Sequence, residues 1–216
     1  MRPRIRALLA AALAFGTVAS VWAAESADLS LVGEIRPTAC TLSLSRSTID
    51  YGTISASALS NTAPTALAQT PFEATIVCDA PTLTALPFHD NRAGSEGHAS
   101  MSADTWFGLG QTSGRPVGAF QIVRTPASVV ANGTSVQTIE LSRSGTWLQM
   151  NETYPEVSAR SGYRLSWAGS GTTPMAYDNV VIPLAISPTL IGRQDMAPLV
   201  DGVSLDGLAT ISLVYL

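Results

Sequence analysis

Short runs in which apolar and polar residues alternate recur along this chain, and almost no stretch repeats with a helical period. A period of two marks a strand with one face toward a core, because successive side chains leave opposite faces. Such runs, or β-rich ones, fall near 27–35, 39–44, 47–54, 72–78, 82–88 and 105–109. Others fall near 117–123, 135–142, 145–150, 162–168, 180–187 and 208–216. Turn formers separate them, among them Asp79-Ala80-Pro81, Ser113-Gly114-Arg115-Pro116, Asn132-Gly133, Ser144-Gly145, Asp201-Gly202 and Asp206-Gly207. The pattern predicts an all-β sandwich. The one helical or irregular piece is Ser55–Gln69, rich in Ala and Ser and broken by Pro64. His89–Asp104 and Ser187–Val203 read as long exposed loops, and no linker divides the chain.

The last run has a further consequence. Ala209, Ile211, Leu213 and Tyr215 would line one face of a strand, with Thr210 and Ser212 on the other, up to Leu216. The sequence after it offers no turn and no further strand to cover that edge. An open apolar edge is an aggregation hazard that proteins pair or blunt. The expectation is that another chain supplies the missing strand.

The opposite end reads as a secretory signal. Arg2, Arg4 and Arg6 precede an apolar stretch from Ala7 to Val21, and Val21-Trp22-Ala23 sets cleavage after Ala23. The stretch is shorter than the roughly 20 residues that a membrane-spanning helix needs. The formal charge is −4, and loss of the three arginines makes the remainder more acidic, which argues against a nucleic-acid partner. Export also favours a disulfide between the two cysteines, Cys40 and Cys78. Closing a loop of that size is worth about 4 kcal/mol in the chain-entropy model.

Between signal and domain lies residues 24–37, with the domain itself over 38–216. Leu29, Leu31, Gly33 and Ile35 share one face of an early strand, and Pro37 separates it from the run that begins near Cys40. Two readings stand. The early strand pairs within its own chain and completes the sandwich, or it fills the open edge of the next subunit so that copies join head to tail. Burial of Leu29, Leu31 and Ile35 would contribute roughly 1.5–3 kcal/mol each.

Leu29 through Cys40, then Ile49-Asp50-Tyr51-Gly52, then Cys78, resemble the corresponding segments of chaperone–usher pilus subunits. Gly202 and the penultimate Tyr215 resemble the C-terminal signature of such subunits. Asp90-Asn91-Arg92-Ala93-Gly94 and Phe107-Gly108-Leu109-Gly110 are similar to an uncharacterised family of fimbrial-subunit-like exported proteins of Gram-negative bacteria. The resemblance implies an immunoglobulin-like β-sandwich of pilin type that lacks its last strand. It implies a Cys40–Cys78 bridge between the first two strands and a donor strand carrying Leu29, Leu31, Gly33 and Ile35. A periplasmic chaperone would bind along Gly202, Ala209, Ile211, Leu213, Tyr215 and Leu216. An outer-membrane usher would then exchange the chaperone strand for that of another fimbrial subunit, at the cell surface, for adhesion to a host or surface receptor. The chain departs from a shaft subunit in its longer middle and its shorter leading extension.

Rival readings rest on less. Gly108-Leu109-Gly110-Gln111-Thr112-Ser113-Gly114 nearly matches a dinucleotide loop, but the last glycine is displaced and no helix pattern follows. His89, Asp90, Glu96 and His98 sketch a metal set within one polar loop, without a scaffold to fix them. Glu152 and Glu156 flank Pro155 with nothing to fix them as an acid–base pair. The expectation is therefore no enzyme and no cofactor. A secreted, self-complete sandwich acting as a carbohydrate- or receptor-binding adhesin is the alternative, with Trp106, Trp147, Trp167, Tyr163 and Tyr177 available to stack on sugars.

Overall fold

The computed structural model describes residues 30, 39–97, 100–125, 128–150, 153 and 155–216. The chain divides into two units, Met1–Arg36 and Pro37–Leu216. All described residues except Ser30 lie in the second. The expected signal (residues 1–23) and the donor-strand residues Leu29, Leu31, Gly33 and Ile35 lie outside the described residues.

The second unit is nearly all β. Its strands are β1 (Cys40–Leu44), β2 (Thr65–Ala66), β3 (Thr70–Thr82), β4 (Thr84–Ala85), β5 (Phe88–Asp90), β6 (Phe107–Gly108), β7 (Gln111–Thr112) and β8 (Arg115–Pro116). They continue with β9 (Gly118–Arg124), β10 (Val129–Ala131), β11 (Thr134–Leu141), β12 (Trp147–Gln149), β13 (Arg164–Ala168), β14 (Tyr177–Leu190), β15 (Ala209–Ile211) and β16 (Val214–Tyr215). Two short 3₁₀ turns, Ala56–Ala58 and Leu199–Asp201, are the helical content among the described residues.

The longest pair of strands shows why the pattern folds this way. In β3, Phe72, Ala74, Ile76 and Cys78 are buried while Glu73 and Val77 are exposed. In β14, Val180, Ile182 and Leu184 repeat the rhythm. The antiparallel register sets Phe72 opposite Leu184, Ala74 opposite Ile182 and Ile76 opposite Val180, so two apolar rows become one surface. β1 adds to the outer edge of β3, with Cys40 opposite Cys78. The other edge of β14 carries β9 and then β10. β6 adds beyond β9, where Phe107 and Phe120 stack with ring centroids 5.3 Å apart.

A second sheet faces this one. β15 pairs with β5 and β16 with β4. Leu86 and Leu165 exchange two main-chain bonds of 2.8 and 2.9 Å, which joins this pair to β13. β13 pairs with β11, whose far side takes β12. Leu86, Phe88, Leu165 and Trp167 of this sheet share one core with Ala74, Ile76, Val180 and Ile182 of the other. Each such buried side chain stabilises the fold by about 1.5–3 kcal/mol.

The two sheets meet at one side through β11. Its first residues pair with β10 in the first sheet, and Gln137–Leu141 pair with β13 in the second. The Asn132-Gly133 turn that feeds β11 uses positive φ at both residues (48° and 76°), as a tight hairpin requires.

Several expectations need correction. Residues 47–54 form no strand: Asp50 Oδ1 accepts the Gly52 N–H at 2.7 Å, and Gly52 turns the chain at φ 60°. His89–Asp104 is not an exposed loop throughout. His89 and Asp90 belong to β5, and Asp90, Ser95, Glu96 and Met101 are buried. Ser187–Val203 is likewise not all loop. β14 runs on to Leu190 through Pro188, whose carbonyl still accepts the Leu67 N–H at 2.9 Å.

Candidate functional site

Opposite the β11 side, no strand passes between the sheets among the described residues. Among the described residues β1 pairs with β3 alone, while β15 and β16 pair with β5 and β4 alone. Between these two edges runs a cleft of about 700 Å³. Its near wall is Leu44 at the end of β1 and the irregular segment that follows, with Ile49 and Ile54. Its far wall is the segment leading into β15, with Val203, Leu205, Ala209 and Ile211. Phe72, Phe120, Ile122 and Leu190 form the apolar floor. The wall residues Ile49, Ile54, Val203, Leu205, Ala209 and Ile211 are only partly buried, although all pack against the core.

The near wall hangs on a few bonds. Ser45 and Glu73 exchange contacts: the Ser45 N–H donates to the Glu73 carbonyl at 2.9 Å, and the Glu73 N–H donates to Ser45 Oγ at 2.8 Å. Farther along, the Tyr51 hydroxyl donates to the Ala68 carbonyl at 3.0 Å and accepts from Thr70 Oγ1 at 3.1 Å. At the end of the cleft nearest the disulfide, the Cys40 N–H donates to Tyr215 Oη at 3.1 Å and joins the two edges.

A polar cluster holds the far wall. The Arg92 guanidinium reaches Asp206 side-on, with Nε to Oδ2 at 3.0 Å and Nη2 to Oδ1 at 2.9 Å, and Nε also donates to the Asp206 carbonyl at 3.1 Å. The Asn91 N–H donates to the Leu208 carbonyl at 3.0 Å, and Asn91 Nδ2 donates to Thr210 Oγ1 at 2.8 Å. Asp90 takes the N–H of Arg92 (2.8 Å) and of Gly108 (2.9 Å). The Ser95 hydroxyl donates to the Arg92 carbonyl and accepts the Gly110 N–H. Any side chain at Gly108 would overlap Ser95 Oγ and the Arg92 carbonyl. The Arg92 contact holds the Asp206 carboxyl below the usual aspartate range. Burial pushes the Asp90 carboxyl up, against its two amide hydrogen bonds.

The disulfide expected between Cys40 and Cys78 is present and links β1 to β3. Gly202 follows the 3₁₀ turn Leu199–Asp201 at φ 80° and lines the cleft with Ala209 and Ile211. The alternation of the last strand breaks at Ser212–Leu213, between β15 and β16. Leu213 and Val214 are both half-buried there, while Tyr215 and Leu216 are exposed. The Leu216 N–H donates to the Leu83 carbonyl at 3.1 Å.

Residues 29–108 match a family model described as Protein of unknown function (DUF1120). The match spans the disulfide, β3, the strands β4 and β5 that receive the C-terminal segment, and the Asp90–Ser95 half of the polar cluster. It stops at Gly108, before the residues of the far wall. None of the curated proteins matches the chain.

The residues of the rival readings have structural employment. Asp90 caps two amides, and Glu96 Oε1 accepts the Gly94 N–H at 3.0 Å. Glu152 and His98 lie outside the described residues. Trp167 is fully buried, whereas Trp106, Trp147, Tyr163 and Tyr177 are half-buried. Sequence reasoning named Asp90–Gly94 and Phe107–Gly110 by resemblance but missed their shared role against Asp206. The separation of Arg92 from Asp206 along the chain left no local signal for it. The cleft offers an apolar floor between an irregular segment and the strand β15, and among the described residues its ionisable lining is Arg46, Asp50 and Tyr51. An arrangement of this kind has the shape and polarity to accept an extended apolar segment.

Proposed function

We propose that this chain is a structural subunit of a surface fimbria, assembled by the chaperone–usher route through donor-strand exchange and serving adhesion. The observation that carries the reading is the cleft along the open side of the sandwich, apolar at its floor and bounded by two singly paired edges. The alternating segment 27–35 supplies a strand of matching character for the next subunit. Before assembly, a periplasmic chaperone would lend its own strand beside β15 and β16 and hold the Leu216 carboxylate with basic residues. The usher would exchange that strand for the extension of another subunit at the outer membrane. The role is binding and assembly, with no bond chemistry. The Cys40–Cys78 bridge suits an oxidising, exported setting.

The test is expression of the exported chain in the periplasm with and without a chaperone of this class. Recovery only as a one-to-one complex is the expected result. A stable, soluble monomer without chaperone would overturn the reading and leave a self-complete secreted binding domain.

A further inference from the structure

Both walls of the cleft must stand at fixed places if an added strand is to pair along it. The near wall is irregular main chain held at Ser45 and Tyr51. The far wall is gripped from behind. Asp206 and Thr210 belong to it, and Arg92 and Asn91 reach them from the turn after β5. That turn is itself fixed, since Asp90 and Ser95 fasten it to Gly108 and Gly110. The Asp206 N–H closes the set by donating to the Leu109 carbonyl at 2.9 Å. Arg92, Asn91, Asp90 and Ser95 are absent from the cleft lining, so their side chains hold the wall without filling the cleft.

We propose that this cluster is a clasp that positions the far wall for strand addition, with Arg92 and Asp206 as its positioning residues. The proposal rests on the assembly reading above. The clasp orders residues 206–210 before a strand arrives, so that binding does not have to supply that ordering. Among the described residues β14, the centre of the floor's ladder, has no bond to the clasp, whereas β9 meets it at Gly108 and Leu109. Arg92 does not contact the cleft, since it is absent from the cleft lining.

The experiment uses the full exported chain and a labelled synthetic peptide with the sequence of residues 27–36. Arg92→Gln is compared with Arg92→Lys and wild type by amide hydrogen exchange and by the rate of peptide uptake. Exchange at residues 207–211 is expected to quicken about two- to fivefold in Arg92→Gln, within the range of a solvent-exposed ion pair. Peptide uptake is expected to slow with it, Arg92→Lys to fall between, and exchange in β14 to stay at wild-type rates. Unchanged exchange at 207–211 overturns the clasp. Equal acceleration throughout β14 overturns positioning in favour of a general folding role. A wild-type chain that takes up no peptide overturns the assembly reading, and this proposal with it, through a result that the variants do not enter.

Discussion

The two sides of the sandwich solve the same problem differently. On one side β11 passes from the first sheet to the second, and Ile139 in its middle is fully buried. On the other side β1 and β15–β16 face each other across a cleft, and Ile211 is only partly buried. The closed side is stable by its own main-chain pairing. The open side has two edges with no strand between them among the described residues, and the proposed assembly puts the partner's strand there.

The strongest way to break that contrast is to remove the far edge. Deleting Leu213–Leu216 takes away β16 and the Tyr215 contact to Cys40. Periplasmic accumulation should then be lost; soluble truncated protein at normal yield, seen by immunoblot, would refute the role given to this edge. The next effect is that of the disulfide. Replacing Cys40 and Cys78 together by Ala should cost about 2–5 kcal/mol in denaturant unfolding.

A paired comparison sharpens the contrast further. Ile139→Ala should cost about 2–5 kcal/mol with or without a bound strand, because its site is closed. Ile211→Ala should cost less in the isolated chain, about 1 kcal/mol, and more once a strand covers it. Equal costs at the two positions in the isolated chain would mean that the two sides do not differ.

The smallest effect concerns acid. Arg92 keeps the folded Asp206 carboxyl below its ordinary value, so the folded chain binds that proton less readily than the unfolded chain. Its contribution to stability is therefore present above about pH 3.9 and is lost as pH falls through the depressed folded value. The stability gap between wild type and Asp206→Asn, measured by denaturant unfolding, should be open at neutral pH and close in that acid range. Asp90 works in the opposite sense, because burial raises its folded pKa.

The sequence made some of this legible. The alternation in 72–78 and 180–187 marked the strands at the centre of the first sheet, because one face of each is buried. The same rule misread 47–54, where apolar Ile49 and Ile54 flank a turn fixed by Asp50 and Gly52. It also read Asp90, Ser95 and Glu96 as solvated, since polar residues are usually outside. They are buried here because main-chain amides and carbonyls satisfy them. Pro188 hid the last residues of β14, and β10 was too short to show alternation although its Asn132-Gly133 turn was visible. The cleft could be expected from the open edge read at the final strand, but its near wall and floor draw on residues far apart in the chain.

The Cys40–Cys78 bond also decides where tension would travel. It lies at the end of β1 where the leading segment joins the domain. A pull applied ahead of Cys40 would otherwise peel β1 from its neighbour one hydrogen bond at a time, starting at that end. With the zipper's first tooth made covalent, the load bypasses β1 and enters β3, which is anchored along most of its length to β14. A short edge strand thus becomes a mechanical coupling between whatever draws on the leading segment and the centre of the fold.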